Sequence, residues 1–99
     1  MPNEGQSNKE SNNNSTQLAE LRQQIDQVDS QLRELFLKRM NLVQQVAIFK
    51  KEQNIPILHP DREEEILMRL GAGLSLGQKQ DVEELFKLLF KISRRQQGS

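Results

Sequence analysis

The residues of this 99-residue chain that could do chemistry are spaced cations, since it has no Cys and one His. Without Cys there is no thiol nucleophile and no disulfide framework. A multi-His metal site is excluded within one chain, so no metal-ligand set is read from the sequence, and without an evident Ser–His–Asp arrangement nucleophilic catalysis has nothing to start from. The segment GAGLSLG lacks the Gly-Lys-Ser/Thr ending of a phosphate loop and follows no strand. The basic residues of TQLAELRQQIDQVDSQLRELFLKRMNLVQQVAIFKKEQN, residues 16–54, are more informative. Arg39 and Lys50 are eleven residues apart, just over three helical turns. They project from nearly one face with Cα atoms ~16 Å apart. Each stem reaches roughly 6–7 Å, which leaves room for a small anion between the two heads. Arg22 lies ~25 Å from Arg39 along a straight helix, too far to share that ligand.

The element that must hold these cations is long. Residues 16–54 contain no Pro and no Gly. Leu18, Leu21, Ile25, Val28, Leu32, Leu35, Leu42, Val46 and Phe49 follow alternating three–four spacing, the seam of an amphipathic or supercoiled helix. Arg39 stands where the seam calls for an apolar side chain. A lone polar seam residue can serve only to fix register, so that role and an anion-binding role both stay open. With Ser15 or Thr16 as cap and an end near Gln53, the helix would be ~57 Å long. A compact domain of this size has a radius of gyration of only ~12 Å. The seam therefore needs a second chain. Antiparallel pairing about the seam midpoint, between Arg33 and Glu34, sets Arg22 of one chain level with about Gln45 of the other. That is the gap between Arg39 and Lys50. An antiparallel homodimer would then hold two equivalent cationic pockets, whereas parallel pairing would stack Arg22 on Arg22.

The rest of the chain is read as two shorter helices. Residues 1–15 are polar, carry an Asn run and are expected to be a disordered tail ahead of a domain at residues 16–99. NIPILH, residues 54–59, is a connection, because Pro56 disfavours helix at Ile55. Pro60 suits a helix start, and Asp61, Glu63, Glu64 and Glu65 load its positive end. Arg62 is poorly placed there and has Glu65 within reach at i+3. His59 suits a cap or loop better than a ligand position. Ile66, Leu67 and Leu70 form the buried face, and Gly71, Gly73 and Gly77 are expected to end this helix and form the next loop. A third helix is expected from Gln80 to about Gln97, burying Val82, Leu85, Phe86, Leu89 and Ile92, with Phe90 widening the stripe. Ser93 and Gln97 continue one edge of it at i, i+4. The fold expected is all-α, with three helices per chain and a very long first helix.

Totals narrow the classes. The 14 basic and 14 acidic residues balance, so no strong field draws the chain to nucleic acid or to a membrane surface. Only 34 % of residues are hydrophobic, with four Phe and no Trp or Tyr, a thin core for a monomer. No apolar run approaches the ~20 residues of a membrane span, and the N-terminus lacks the apolar core of a signal peptide. A soluble, cytoplasmic location is expected.

The ordered set LAELRQQIDQVDSQL, LFLKRMNLVQQVAIFKK, IPILHPDREEEIL and a last helix with Ser93 and Gln97 resembles the all-helical class of chorismate mutases. The resemblance covers residues 18–97 and rests on L-R-x-x-I-D-x-x-D, a later K-R pair, a Lys before the loop and P-x-R-E. It implies an intertwined dimer of three-helix chains that converts chorismate to prephenate in phenylalanine and tyrosine biosynthesis, with no cofactor. By that resemblance Arg22 serves the partner's site, Arg39 binds a carboxylate and Ser93 helps. Lys50 and Gln97 donate to the ether oxygen, Glu63 accepts from the substrate hydroxyl, and Arg62 belongs to the wall. At His59 family members often carry an acidic residue near that hydroxyl, so the His59 ring or its backbone amide would face it. Fusion to a downstream aromatic-pathway enzyme stays open. The competing readings are an isochorismate pyruvate-lyase-like enzyme on the same fold and a non-catalytic helical dimerisation or regulatory module.

Overall fold

A computed structural model describes residues 9–57 and 59–98. Among them there are three helices and no strand: α1 (Lys9–Gln53), α2 (Pro60–Gly71) and α3 (Leu76–Gly98). The all-α expectation holds. The chain divides into two units, Met1–Leu37 and Lys38–Ser99.

In the first unit α1 begins at Lys9, earlier than expected. Ser15 and Thr16 lie inside the helix instead of capping it. Asn, Ser and Lys lower helix propensity only modestly, and no Pro or Gly interrupts residues 9–15. The rest of the expected tail, residues 1–8, lies outside the described residues. Leu18, Leu21, Ile25, Val28, Leu32 and Leu35 are all exposed in the single chain. A row of large apolar side chains this long exceeds what a stable monomer leaves in water.

The second unit holds the end of α1 with α2 and α3. α1 stops in a Schellman turn: the Ile55 N–H donates to the Lys50 carbonyl at 2.8 Å and the Asn54 N–H to the Lys51 carbonyl at 3.4 Å. Asn54 takes the left-handed conformation this requires, φ 57°, which Asn tolerates better than most residues. Pro56 then prevents further helix. α2 starts with Pro60 in its first turn, and the His59 carbonyl accepts the Glu63 N–H at 3.2 Å. Gly73, φ 79°, turns the chain after α2.

Gly77 does not belong to that turn. α3 starts at Leu76, four residues before the expected Gln80. The cause is a capping box. The Ser75 hydroxyl accepts the Gln78 N–H at 3.2 Å, and the Gln78 side chain accepts the Ser75 N–H at 3.2 Å. Two orphan donors are satisfied at once, enough to hold a Gly inside the first turn. Gly71 matters for packing, since a Cβ there would lie 3.0 Å from Lys79 Cγ on α3.

The core of this unit is small. Met40 of α1, Ile66 of α2 and Phe90 of α3 are its buried apolar residues, with Ser93 as the buried polar one. Phe86 and Phe90 meet edge to face at 6.1 Å. Phe90 is thus the centre of the α3 stripe, not its margin. Leu85, expected inside, is exposed together with Leu88. α3 is apolar on two sides, and α2 selects the side carrying Phe86 and Phe90.

Candidate active site

The last turns of α1, the start of α2 and the end of α3 enclose a cleft of ≈ 190 Å³. Its apolar walls are Val43, Val46, Ile57, Ile66 and Phe90. Its polar lining is Arg39 and Lys50 from α1, His59 before α2, Arg62 and Glu63 from α2, and Ser93, Arg94 and Gln97 from α3. Seven of the eight residues expected at the site line it. The eighth, Arg22, is exposed in the first unit and does not line this cleft.

Arg39 is anchored from two sides. Its guanidinium lies 5.8 Å from the centroid of the Phe90 ring, within cation–π range. Its Nη1 donates to Ser93 Oγ at 2.6 Å. Ser93 Oγ in turn donates to the Leu89 carbonyl one turn back, at 2.7 Å, so its lone pairs are turned toward Arg39. Burial, and secondly the positive charge of Arg62, lowers the Arg39 pKa. A negative charge beside Arg39 would oppose both effects.

The seam position of Arg39 now has a structural account. Met40 and Val43 face α2 and α3, while Leu42, Val46 and Phe49 remain exposed. Arg39 and Lys50 lie on the border between those two faces. Arg39 therefore sits at the inner edge of the seam, turned to Ser93, and not at its middle.

Lys50 ties three segments together. Its Nζ donates to the Ile57 carbonyl at 3.1 Å and to Gln97 Oε1 at 3.3 Å. An ammonium only donates, so Gln97 must present its oxygen to Lys50 and turn its NH₂ group away. The Lys50 ammonium and the Gln97 carboxamide are thereby held together. The α1–α3 seam is joined again by Gln44 Nε2 and Gln96 Oε1 at 3.4 Å.

The remaining polar residues pair among themselves. Arg62 bonds Glu65 at 2.6 Å on the solvent side, as the i+3 spacing suggested. The His59 Nε2–H donates to the Pro56 carbonyl at 2.7 Å, and the His59 ring makes no cap bond to α2. Glu63 pairs with Arg94, a residue that sequence reasoning missed. Its signal was weak: Arg94 and Arg95 are adjacent at a helix end, and nothing in their order tells which one faces inward. In all, four cations (Arg39, Lys50, Arg62, Arg94) and one carboxylate (Glu63) line the cleft. A recess with this excess of positive charge favours anionic ligands. Its two rows of donors, Arg39 with Ser93 and Lys50 with Gln97, suit a rigid molecule carrying more than one oxygen function.

Among the described residues no helix is long and apolar enough to cross a membrane. A family model described as chorismate mutase type II matches residues 21–98. The chain is 40 % identical over 53 residues to a chorismate mutase of Methanocaldococcus jannaschii, covering 54 % of either chain. It is 40 % identical over 74 residues to the T-protein of Haemophilus influenzae, covering 70 % of this chain and 20 % of that one. A bifunctional chorismate mutase/prephenate dehydratase of Aquifex aeolicus is 35 % identical over 54 residues, which are 54 % of this chain and 15 % of that protein. The chain thus spans from under a fifth to about half of the length of these relatives. A solved structure of a conserved hypothetical protein from Pyrococcus furiosus is similar with a TM-score of 0.71 at 35 % identity, covering 83 % of this chain and 96 % of that one.

Proposed function

Because this chain belongs to the chorismate mutase type II family, we propose that it rearranges chorismate to prephenate in a homodimer with two shared sites. The reaction is a unimolecular Claisen rearrangement. The ether C–O bond breaks as a C–C bond forms, and negative charge grows on the departing ether oxygen. Nothing in that sequence of bond changes calls for a nucleophile. It calls for a clamp on two carboxylates and donors at one oxygen.

The observation that carries this reading is the Lys50–Gln97 pair, 3.3 Å apart in a cleft whose other side holds Arg39 on Ser93. Arg39 takes one carboxylate, and Arg22 of the partner subunit takes the other, holding the enolpyruvyl arm over the ring. Lys50 and the Gln97 NH₂ donate to the ether oxygen, where they bind the transition state more strongly than the ground state. Glu63 accepts from the ring hydroxyl. Arg62 and His59 complete the wall. The exposed apolar row of α1 supports the dimer, since among the described residues a single chain buries only Met40, Ile66 and Phe90 as its apolar core. The names of the longer relatives raise the further proposal that such a domain also works fused to an enzyme that consumes prephenate.

The test is to incubate purified protein with chorismate and follow the loss of its ultraviolet absorbance, identifying the product as prephenate. Acceleration is expected at micromolar protein. No acceleration refutes the proposal, and salicylate released from isochorismate alone would assign the site to the lyase reaction.

A further inference from the structure

Among the described residues, Glu63 is the sole carboxylate in a cleft lined by four cations. Unpaired, it would be drawn to Arg39 and Lys50, the cations assigned to the dianionic substrate. Arg62, its sequence neighbour, is committed outward to Glu65. Arg94 instead reaches across from α3 and donates through Nη1 to Glu63 Oε2. Both side chains are about a third exposed, at 37 % and 27 %, so the pair is partly shielded from solvent screening. The partners are 31 residues apart and sit on different helices, so the bond is tertiary and not a by-product of helical spacing. With Oε2 engaged, Oε1 is left to accept a hydroxyl hydrogen inside the cleft.

We infer that Arg94 is a positioning residue: by holding Glu63 against α3 it keeps that carboxylate off the substrate-binding cations and aims its second oxygen at the substrate's ring hydroxyl. This rests on the mutase reading above. It makes Arg94 a determinant of specificity for the hydroxyl-bearing substrate, acting through Glu63 and not on the reacting atoms. Arg94 is adjacent to Ser93, so one turn of α3 sets both the Arg39 clamp and the Glu63 clamp.

The experiment measures kcat/KM for Arg94→Ala, Arg94→Lys, Glu63→Gln and Glu63→Gln/Arg94→Ala, with chorismate and with an analogue lacking the ring hydroxyl. Helical content and the urea midpoint are recorded for each. Arg94→Ala should lose about tenfold on chorismate and less than about twofold on the analogue. Arg94→Lys should recover part of the loss, and Arg94→Ala should cost nothing more once Glu63 is Gln. Equal losses on both substrates, losses that multiply in the double variant, or an unchanged Arg94→Ala would overturn the inference while leaving the mutase reading intact. A wild-type protein inert toward chorismate would overturn both.

Discussion

Replacing Lys50 by Met removes the charged donor and retains the stem. One neutral donor at a developing oxyanion is worth ~3–4 kcal/mol, or ~10²–10³ in kcat. That is the range expected for Gln97→Ala. A charged donor is roughly twice as strong as a neutral one, which puts the Lys50 donor by itself at ~10³ or more. Lys50 also does a second thing: it bonds Gln97 Oε1 and so fixes which end of that carboxamide it faces. Lys50→Met should therefore disable Gln97 as well. If the two residues acted independently, the double variant would lose at least ~10⁵. With the two coupled, Lys50→Met alone should already lose ~10⁵ or more, and the double variant should fall within about tenfold of it. Unfolding is not a competing cause. The Schellman turn uses the Lys50 backbone carbonyl, which Met retains. Its two side-chain bonds, at 3.1 and 3.3 Å, are each worth about 1 kcal/mol net. Initial rates by chorismate absorbance, with urea midpoints for each variant, decide the matter. Multiplicative losses, or a Lys50→Met enzyme within tenfold of wild type, would refute the reasoning.

Two further outcomes follow from the proposed assembly and from the charge of the cleft. Arg22→Ala and Lys50→Ala chains should each be inactive, yet a mixture should recover ~25 % of wild-type activity, because half of the dimers are mixed and each rebuilds one site of two; no recovery after confirmed subunit exchange rules out the shared site. Raising ionic strength from ~0.01 to ~0.5 M shortens the screening length from ~30 to about 4 Å, so KM for the dianion should rise several-fold while kcat moves less than twofold, and a salt-independent KM would show that the cations do not attract the substrate from a distance.

Helical spacing was enough to read the long first helix and its end near Gln53, because apolar periodicity and Pro56 both act locally. The same is true of Pro60 at the head of α2. What local pattern could not decide is which of two apolar sides a helix buries. α3 offers Leu85 and Leu88 on one side and Phe86 and Phe90 on the other, and only packing against Ile66 of α2 selects the second. The start of α3 is different. Ser75 and Gln78 form a capping box that the sequence spells out, but the glycines on either side of it suggested a longer loop. Seven site residues could be placed from order and spacing together with the family resemblance. Arg94 could not, since its role depends on a carboxylate from another helix.

Arg39 shows why the two levels must be combined. Read along one helix, it is a defect in a seam and serves equally well as a register device. In three dimensions its side chain spends its hydrogen bond on Ser93 of α3 and its face on Phe90. A register device would bond across the seam, to the second chain. Arg39 is oriented by its own chain and is destabilised there by burial and by Arg62. A protein that gains nothing from an anion would have little reason to keep a guanidinium desolvated beside a second one. A carboxylate bound beside Arg39 would offset the burial and the repulsion from Arg62, in keeping with the proposed dicarboxylate substrate. Arg62→Gln, which relieves part of that repulsion, should weaken substrate binding even though Arg62 spends its own bond on Glu65.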